Sequence, residues 1–361
     1  MNTNAALETL GADGLQRFHA LRGDAVGAVT ERFYATHGSA YEKFGPRGRD
    51  ACREDLAFHL EFLRPVLEFG LLQPMVDYLR WLDSVLAARA IPSGHLALSL
   101  QWMAEFYAGR MEAAEGALVS GALHAALAKF LQAGEAPSPK AGAAWPEAAA
   151  FEAALLCGDQ RAALALVNRC IDAGHGLVEV EMHLIQPALY HIGDQWQANQ
   201  VSVAQEHMAT AIAQSVMTAG LLRSAAPAPL NRRALLACVE GNNHAVGLRM
   251  VADAFLLGGW DVQYLGANVP TSALVAQAAA WKPDLVGLSV SFAQQLPVVK
   301  AAIVQLDRRL GAARPAVMIG GLAINRFSPL AGVAGAEAYS PDASAALVEA
   351  NRVIGHRVID H

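Results

Sequence analysis

The run Asn242-Asn243-His244-Ala245-Val246-Gly247 joins two segments of opposite character, and that junction constrains the fold more than any other stretch. Residues 234–239 before it form a short apolar run without a helical stripe, as a buried strand does. Residues 248–257 after it have helical spacing and stop at Gly258-Gly259. Strand, turn and helix in that order begin a βαβ unit, and open sheets built from such units bind ligands beyond the carboxyl ends of their strands. His244 therefore stands where a ligand would be reached, although a loop histidine serves equally well as plain surface. The downstream spacing adds to this. Gly247 is followed after 41 residues by Ser289-Val290-Ser291, at the end of a strand over 284–290, and after a further 28 by Gly320-Gly321, which close a strand over 316–319. Small or polar residues at successive strand ends let a flat ligand approach the backbone. Asn268 and Val269, just beyond a strand at 262–266, join the same rim. With a fifth strand at 335–339, the alternation over 234–361 predicts a doubly wound parallel sheet with right-handed crossovers.

Two low-order stretches, 133–144 and 224–233, act as linkers and divide the chain into three domains. Residues 145–223 read as four helices, 146–157, 160–173, 177–197 and 202–223, whose short connections imply an antiparallel bundle. Trp196 ends the third of these, and Glu206-His207 follow near the start of the fourth. The two can converge across the turn, or can be a core indole and a solvated charge. Residues 1–132 are helical by pattern, with Pro46, Pro65, Pro74 and Pro92 setting breaks, and are rich in aromatics such as Phe58, Phe62, Tyr78 and Trp102. A helical core accounts for most of these rings. Arg47, Arg49 and Arg53 lie close in sequence to His59 among them, which also suits an apolar pigment carrying carboxylates.

The bulk properties exclude several classes. A net charge of −6 and a pI near 6.1 argue against direct nucleic-acid binding. Four cysteines without a CxxC pair suit a reducing cytoplasm, and no apolar run reaches the ~18 residues of a membrane span. No helix-turn-helix pattern, output enzyme or stretch long enough for a (β/α)8 domain is read, so a non-enzymatic protein is expected.

The spacing of His244, Gly247, Ser289, Gly320 and Gly321 resembles the cobalamin-binding domain of methionine synthase, the base-off mutases and the adenosylcobalamin photoreceptors. That resemblance implies a flavodoxin-like sheet in which His244 is the lower cobalt ligand and Ser289 and the Gly320-Gly321 pair lie along the nucleotide tail. Asn242 stands where the family has an acid, and Ser291 where it has leucine. An amide at 242 is expected to hold the imidazole by accepting its N–H and to make it a less basic ligand than a carboxylate would. Trp196-x9-Glu206-His207, with Leu189-Tyr190-His191-Ile192-Gly193 before it, resembles the cap of the light-dependent cobalamin repressors of carotenoid synthesis. There the tryptophan packs on the adenosyl group, the glutamate hydrogen-bonds it and the histidine belongs to the same wall; by this resemblance Val203 lies near the cobalt–carbon bond. Those repressors have a histidine directly after the tryptophan, where this chain has Gln197, which leaves water, or another group such as His191 or His207, as the cobalt ligand after illumination. From about Cys52 to Leu131 the chain resembles the phycobiliproteins, which are globin-like and bind open-chain tetrapyrroles. The match implies Cys52 as a thioether site, Asp55 as acceptor for pyrrole N–H groups, and Arg53, Arg47 or Arg49 as propionate partner.

The three parts together resemble the photocobilins, photoreceptors carrying both cobalamin and biliverdin. The expected protein is thus a light sensor using adenosylcobalamin, with biliverdin as second chromophore, that forms homo-oligomers of light-dependent assembly and signals through a separate protein. A corrinoid methyl carrier would share the bundle and sheet, and a haem-based redox or oxygen sensor would use His59 or His95; both stay open at this point.

Overall fold

A computed structural model describes residues 7–132, 134, 142–327 and 330–359. Most of the 133–144 linker lies outside the described residues. The chain forms two compact units, Met1–Pro137 and Ser138–His361.

The first unit is all helical: α1 (Ala12–Ala20), α2 (Arg22–Tyr41), α3 (Gly45–Phe69), α4 (Leu72–Ala87), α5 (Ser93–Arg110) and α6 (Ala113–Phe130). Pro46 lies in the first turn of α3 and Pro92 is the N-cap of α5, where a missing N–H costs little. Pro65 does not break its helix as expected; α3 runs through it to Gly70, whose φ of 71° ends the helix. Leu56, Leu60, Leu63, Val66 and Leu67 are buried on either side of the proline, so tertiary burial holds the helix across the lost bond. Most of the aromatics form this core, Tyr107 and Phe18 fully; Phe58 and Phe44 stay exposed.

In the second unit a bundle comes first: α7 (Ala148–Leu156), α8 (Gln160–Asp172), a long helix made of α9 (Leu177–Val180), a π segment (Glu181–Ile185) and α10 (Gln186–Gln197), then α11 (Val203–Arg223). Local chemistry sets the ends. Asp159 caps α8 by accepting the Ala162 N–H at 2.9 Å. Ser202 caps α11 in a reciprocal box with Gln205, Ser202 Oγ accepting the Gln205 N–H and Gln205 Oε1 accepting the Ser202 N–H. The sheet strands are β1 (Arg233–Val239), β2 (Asp261–Val269), β3 (Leu285–Ser289), β4 (Ala316–Gly320) and β5 (Ala338–Ser340). Between them run α12 (Val246–Leu257), α13 (Thr271–Trp281), α14 (Leu296–Leu310), α15 (Leu322–Arg326) and α16 (Leu330–Ala334), and α17 (Ala343–Ile359) closes the chain.

All strand pairs are parallel, in the order β2-β1-β3-β4-β5. This is the doubly wound sheet that the alternation predicts. Its chain direction switches between β1 and β3, where the carboxyl ends leave a crevice. β2 runs longer than its apolar run: the β1–β2 register slips after Leu236 at a bulge containing Gly266 (φ 79°), which brings Asn268 and Val269 into the strand instead of beyond it. Bundle and sheet, which the sequence divides at 224–233, share one core. Leu184, Ile185, Ala213 and Met217 pack with Met250 and Ala254 of α12. Among the described residues no helix is long and apolar enough to cross a membrane.

Candidate functional site

The carboxyl ends of three strands, β1, β2 and β3, are stitched by side-chain amides. Asn242 is fully buried; its Nδ2 donates to the Ser289 carbonyl at 2.9 Å and its Oδ1 accepts the main-chain N–H of His244 at 3.1 Å. The expected bond from the imidazole to this amide is therefore not formed, because Oδ1 is taken by the backbone two residues on, as in an Asx turn. Asn268, at φ 49°, accepts the Gly241 N–H at 2.7 Å and donates its own N–H to the Asn242 carbonyl. Gln295, which the sequence reading missed, accepts from the N–H groups of Ser291 (3.0 Å) and Phe292 (3.2 Å) and donates to the Gly241 carbonyl (3.0 Å). Only a glutamine's paired donor and acceptor, held by the single 3-10 turn at 293–295, can do this, and a lone glutamine in a loop carries no pattern.

The glycines serve close approach. Gly321 has φ 99°, and a Cβ there would lie 2.6 Å from the Val290 carbonyl oxygen. A Cβ on Gly320 would lie 3.1 Å from the Ser340 oxygen. Gly247, by contrast, has open space around it. Ser289 and Ser291 are buried in the rim, and Asn243 is exposed on the turn.

His244 projects from this rim, exposed at its tip and edge-on to the Phe292 ring (5.1 Å, 79°). The protein around it lowers its pKa, which favours the neutral, metal-ligating form, and the charge of Glu206 acts on it in the opposite sense. Glu206 lies on the first turn of α11, so that turn faces the histidine. On α10, the Tyr190 hydroxyl feels the charge of Arg326, which follows Gly320-Gly321. The bundle thus overlooks the strand ends at two points.

Val203, Glu206 and His207 share one face of α11 by their spacing. Val203 is 53% exposed. Glu206 accepts from Thr210 Oγ1 at 3.0 Å and pairs with His207 Nδ1. Trp196 is half-buried in the last turn of α10. His191 is held on the other side of that helix by Glu152 of α7, at 2.6 Å.

In the helical unit Cys52, Asp55, His59 and Tyr78 come together. His59 is buried, with Nδ1 2.9 Å from the Tyr78 hydroxyl and Nε2 3.5 Å from Ser99 Oγ; burial pushes its pKa down to about 3. Burial, and then the neighbouring Asp55, push the Cys52 thiol up to about 11, so it is protonated and weakly nucleophilic at neutral pH. Burial and then Glu54 raise Asp55 to about 6, and Arg89, which the sequence did not single out, acts on it from α4's end. Arg49 pairs with Glu31 and lies over the Tyr34 ring, while Arg47 and Arg53 are exposed.

Residues 232–348 match the B12 binding domain. Residues 147–219 match a second family of the same description, so the two matches cover both sides of the crevice. The chain is 32% identical over 159 residues, 43% of its length, to the HTH-type transcriptional repressor CarA of Myxococcus xanthus. It is 30% identical over 140 residues, 39% of its length, to the HTH-type transcriptional repressor CarH of the same organism. These matches span 52% and 46% of the two repressors, about half of each. Trimethylamine corrinoid protein 2 of Methanosarcina acetivorans is 26% identical over 136 residues, 36% of this chain and 62% of that protein. The cofactor of the second unit is a cobalamin. The residues fit one: an imidazole kept neutral at the rim, open space at Gly247, and an uncovered valine on the facing turn.

Proposed function

We propose that the chain is a light sensor that encloses adenosylcobalamin between the α10–α11 turn and the strand ends, with His244 as lower cobalt ligand. The observation that supports this most is that B12 binding domain matches fall on both the sheet and the bundle, with Glu206 on the bundle close enough for its charge to act on His244. A group seated on the histidine meets the α11 turn, and Val203 on that turn offers an apolar side chain for the adenosyl group to cover. Trp196 closes the same wall from α10. Glu206, steadied by Thr210 and His207, presents its carboxylate as acceptor. Asn243, Gly247, Asn268, Val269, Ser289, Ser291 and Gly320-Gly321 line the passage for the nucleotide tail, beside the buried Asn242.

Bound adenosylcobalamin supplies a weak cobalt–carbon bond that visible light cleaves. The chain's part is to keep the adenosyl group against Trp196, Val203 and Glu206 in darkness. Once those contacts are gone, the bundle's preferred position against the sheet changes, provided the two positions bind the cofactor unequally. The output in this reading is a change of homo-oligomeric assembly sensed by a separate signalling protein. Biliverdin is the proposed second chromophore, in the helical unit: Asp55, His59 and Tyr78 would receive the pyrrole nitrogens, Arg47, Arg49 or Arg53 a propionate, and Cys52 would lie alongside.

A second reading, a corrinoid methyl carrier, is favoured by the similarity to Trimethylamine corrinoid protein 2. One experiment separates them. Full-length protein is incubated with adenosylcobalamin, methylcobalamin and biliverdin, and its absorption and size-exclusion profile are recorded in darkness and after green light. The sensor reading expects retention of the adenosyl form, a light-driven spectral change with altered assembly, and loss of both in Trp196→Ala. Preference for methylcobalamin with no change of assembly supports the carrier, and no far-red band with biliverdin removes the second chromophore.

A further inference from the structure

Glu181 and Asp253 are acidic side chains with no exposed surface in an otherwise apolar joint. Glu181 belongs to the π segment of the bundle's long helix, and Asp253 to α12. Asp253 Oδ1 accepts Arg249 Nε at 2.8 Å. Its Oδ2, and both oxygens of Glu181, have no donor among the described residues if both acids are ionised. The two carboxyls nevertheless lie within hydrogen-bond reach of each other. One guanidinium balances one carboxylate, and an unpaired second charge in a dry joint is prohibitively costly. The arrangement closes only with one proton between the acids. Burial raises both carboxyls, but the Arg249 guanidinium acts on Asp253 to favour its ionised form, which assigns the proton to Glu181, facing Asp253.

The location gives this chain of groups its meaning. α12 starts two residues after His244. Its first carbonyl neighbour, Ala245, accepts the Tyr264 hydroxyl at 3.2 Å and, as the first bond of the helix, the main-chain N–H of Arg249 at 2.9 Å, so the Arg249 guanidinium that pairs with Asp253 projects from the turn of α12 next to the histidine. The helix that carries Glu181 continues to Tyr190 and Trp196. The π segment widens one turn of that helix and resets which side chains meet α12.

We propose that Glu181, Asp253 and Arg249 are positioning residues for the cobalamin site: a carboxyl–carboxylate–guanidinium chain, sharing one proton, that docks the bundle's long helix on α12 and so fixes where His244 stands beneath the bundle. This rests on His244 as the cobalt ligand. The charged groups acting on Glu181 are Asp253 and Arg249; Tyr264 feels Arg249 and Asp253 in turn. Burial raises the Glu181 pKa far above the ordinary carboxyl range, with Asp253 adding to it. A raised folded pKa means a contribution to stability that is complete in acid, below the unfolded carboxyl pKa of about 4.3, and declines as pH rises toward the folded value. Above that value the joint holds two negative charges against one positive.

The test uses full-length protein and the variants Glu181→Gln, Glu181→Ala and Asp253→Asn. Without cofactor, wild type is expected to show the infrared carbonyl stretch of a protonated carboxyl at neutral pH, absent in Glu181→Gln. Its melting midpoint should fall by several degrees between mildly acidic and alkaline pH, whereas that of Glu181→Gln, which donates the same bond without titrating, stays flatter. With hydroxocobalamin as probe, Glu181→Gln should retain the histidine-ligated absorption of wild type. Glu181→Ala should take up cobalamin with a smaller histidine-ligated fraction; should that variant not fold, Asp253→Asn takes its place in this arm. An infrared spectrum unchanged by Glu181→Gln, parallel melting profiles, or full histidine ligation in Glu181→Ala would each overturn the proposal. Cobalamin uptake by wild type without any effect of His244→Ala on the spectrum would overturn the ligand reading, and the positioning role with it, while the infrared band and melting profiles would be unaffected.

Discussion

Asn242 makes two hydrogen bonds of opposite sense, donating to the Ser289 carbonyl and accepting from the His244 main chain. A carboxylate can make only the second and would press a negative oxygen on the Ser289 carbonyl in a fully buried place. Asn242→Asp, the residue usual in the cobalamin family that this motif resembles, is therefore expected to destabilise this chain by about 1–3 kcal/mol at neutral pH, less at acid pH where the side chain regains a proton, as read by urea unfolding. It should not strengthen lower-face ligation, because the side chain addresses the backbone and not the imidazole. The position of His244 was legible from the strand-turn-helix junction. The orientation of Asn242 was not, since it is decided by the end of β3, 47 residues away. Gln295 was invisible for the same reason.

At the scale of elements, the short apolar runs of β1, β3 and β4 located the sheet within a residue or so, because strands buried on both faces admit little else. The β2 bulge and the π segment escaped, since each is an adjustment to a neighbour and leaves the local pattern unchanged. Two elements make separate predictions. Ser202→Ala removes one half of the α11 capping box and should cost about 1 kcal/mol; fraying of that turn, which bears Val203 and Glu206, should loosen retention of the adenosyl cofactor in darkness while leaving cobalamin uptake intact, measured by filtration of the reconstituted protein. Gly321→Ala forces a left-handed backbone on alanine and a methyl group into the Val290 carbonyl. The strained backbone alone costs about 1–3 kcal/mol, so a melting midpoint no lower than wild type would contradict the close approach at the ends of β3 and β4.

For the whole molecule, the chain divides into two compact units at the expected 133–144 linker, and the second unit holds both the bundle and the sheet. Loop composition at 224–233 marks a change of secondary structure, but it does not report that the bundle and α12 share a core. Residues 138–361 expressed alone should therefore unfold in one transition and take up cobalamin with the same spectrum as the full chain; two transitions would show bundle and sheet to be independent. The helical unit was legible as helical and aromatic. Helices filled with aromatic rings satisfy any buried core, so the sequence pattern alone does not distinguish the proposed bilin site there from packing; that Cys52, Asp55, His59 and Tyr78 meet follows from how α3 and α4 pack.

The ends of the sheet carry one more consequence. β5 is three residues long, and the opposite margin, β2, is kinked by its bulge at Gly266. Neither margin offers a flat ladder of free amides to a second copy. The light-dependent assembly proposed above would therefore have to use helical faces, which would keep it reversible and away from continuous cross-strand fibres.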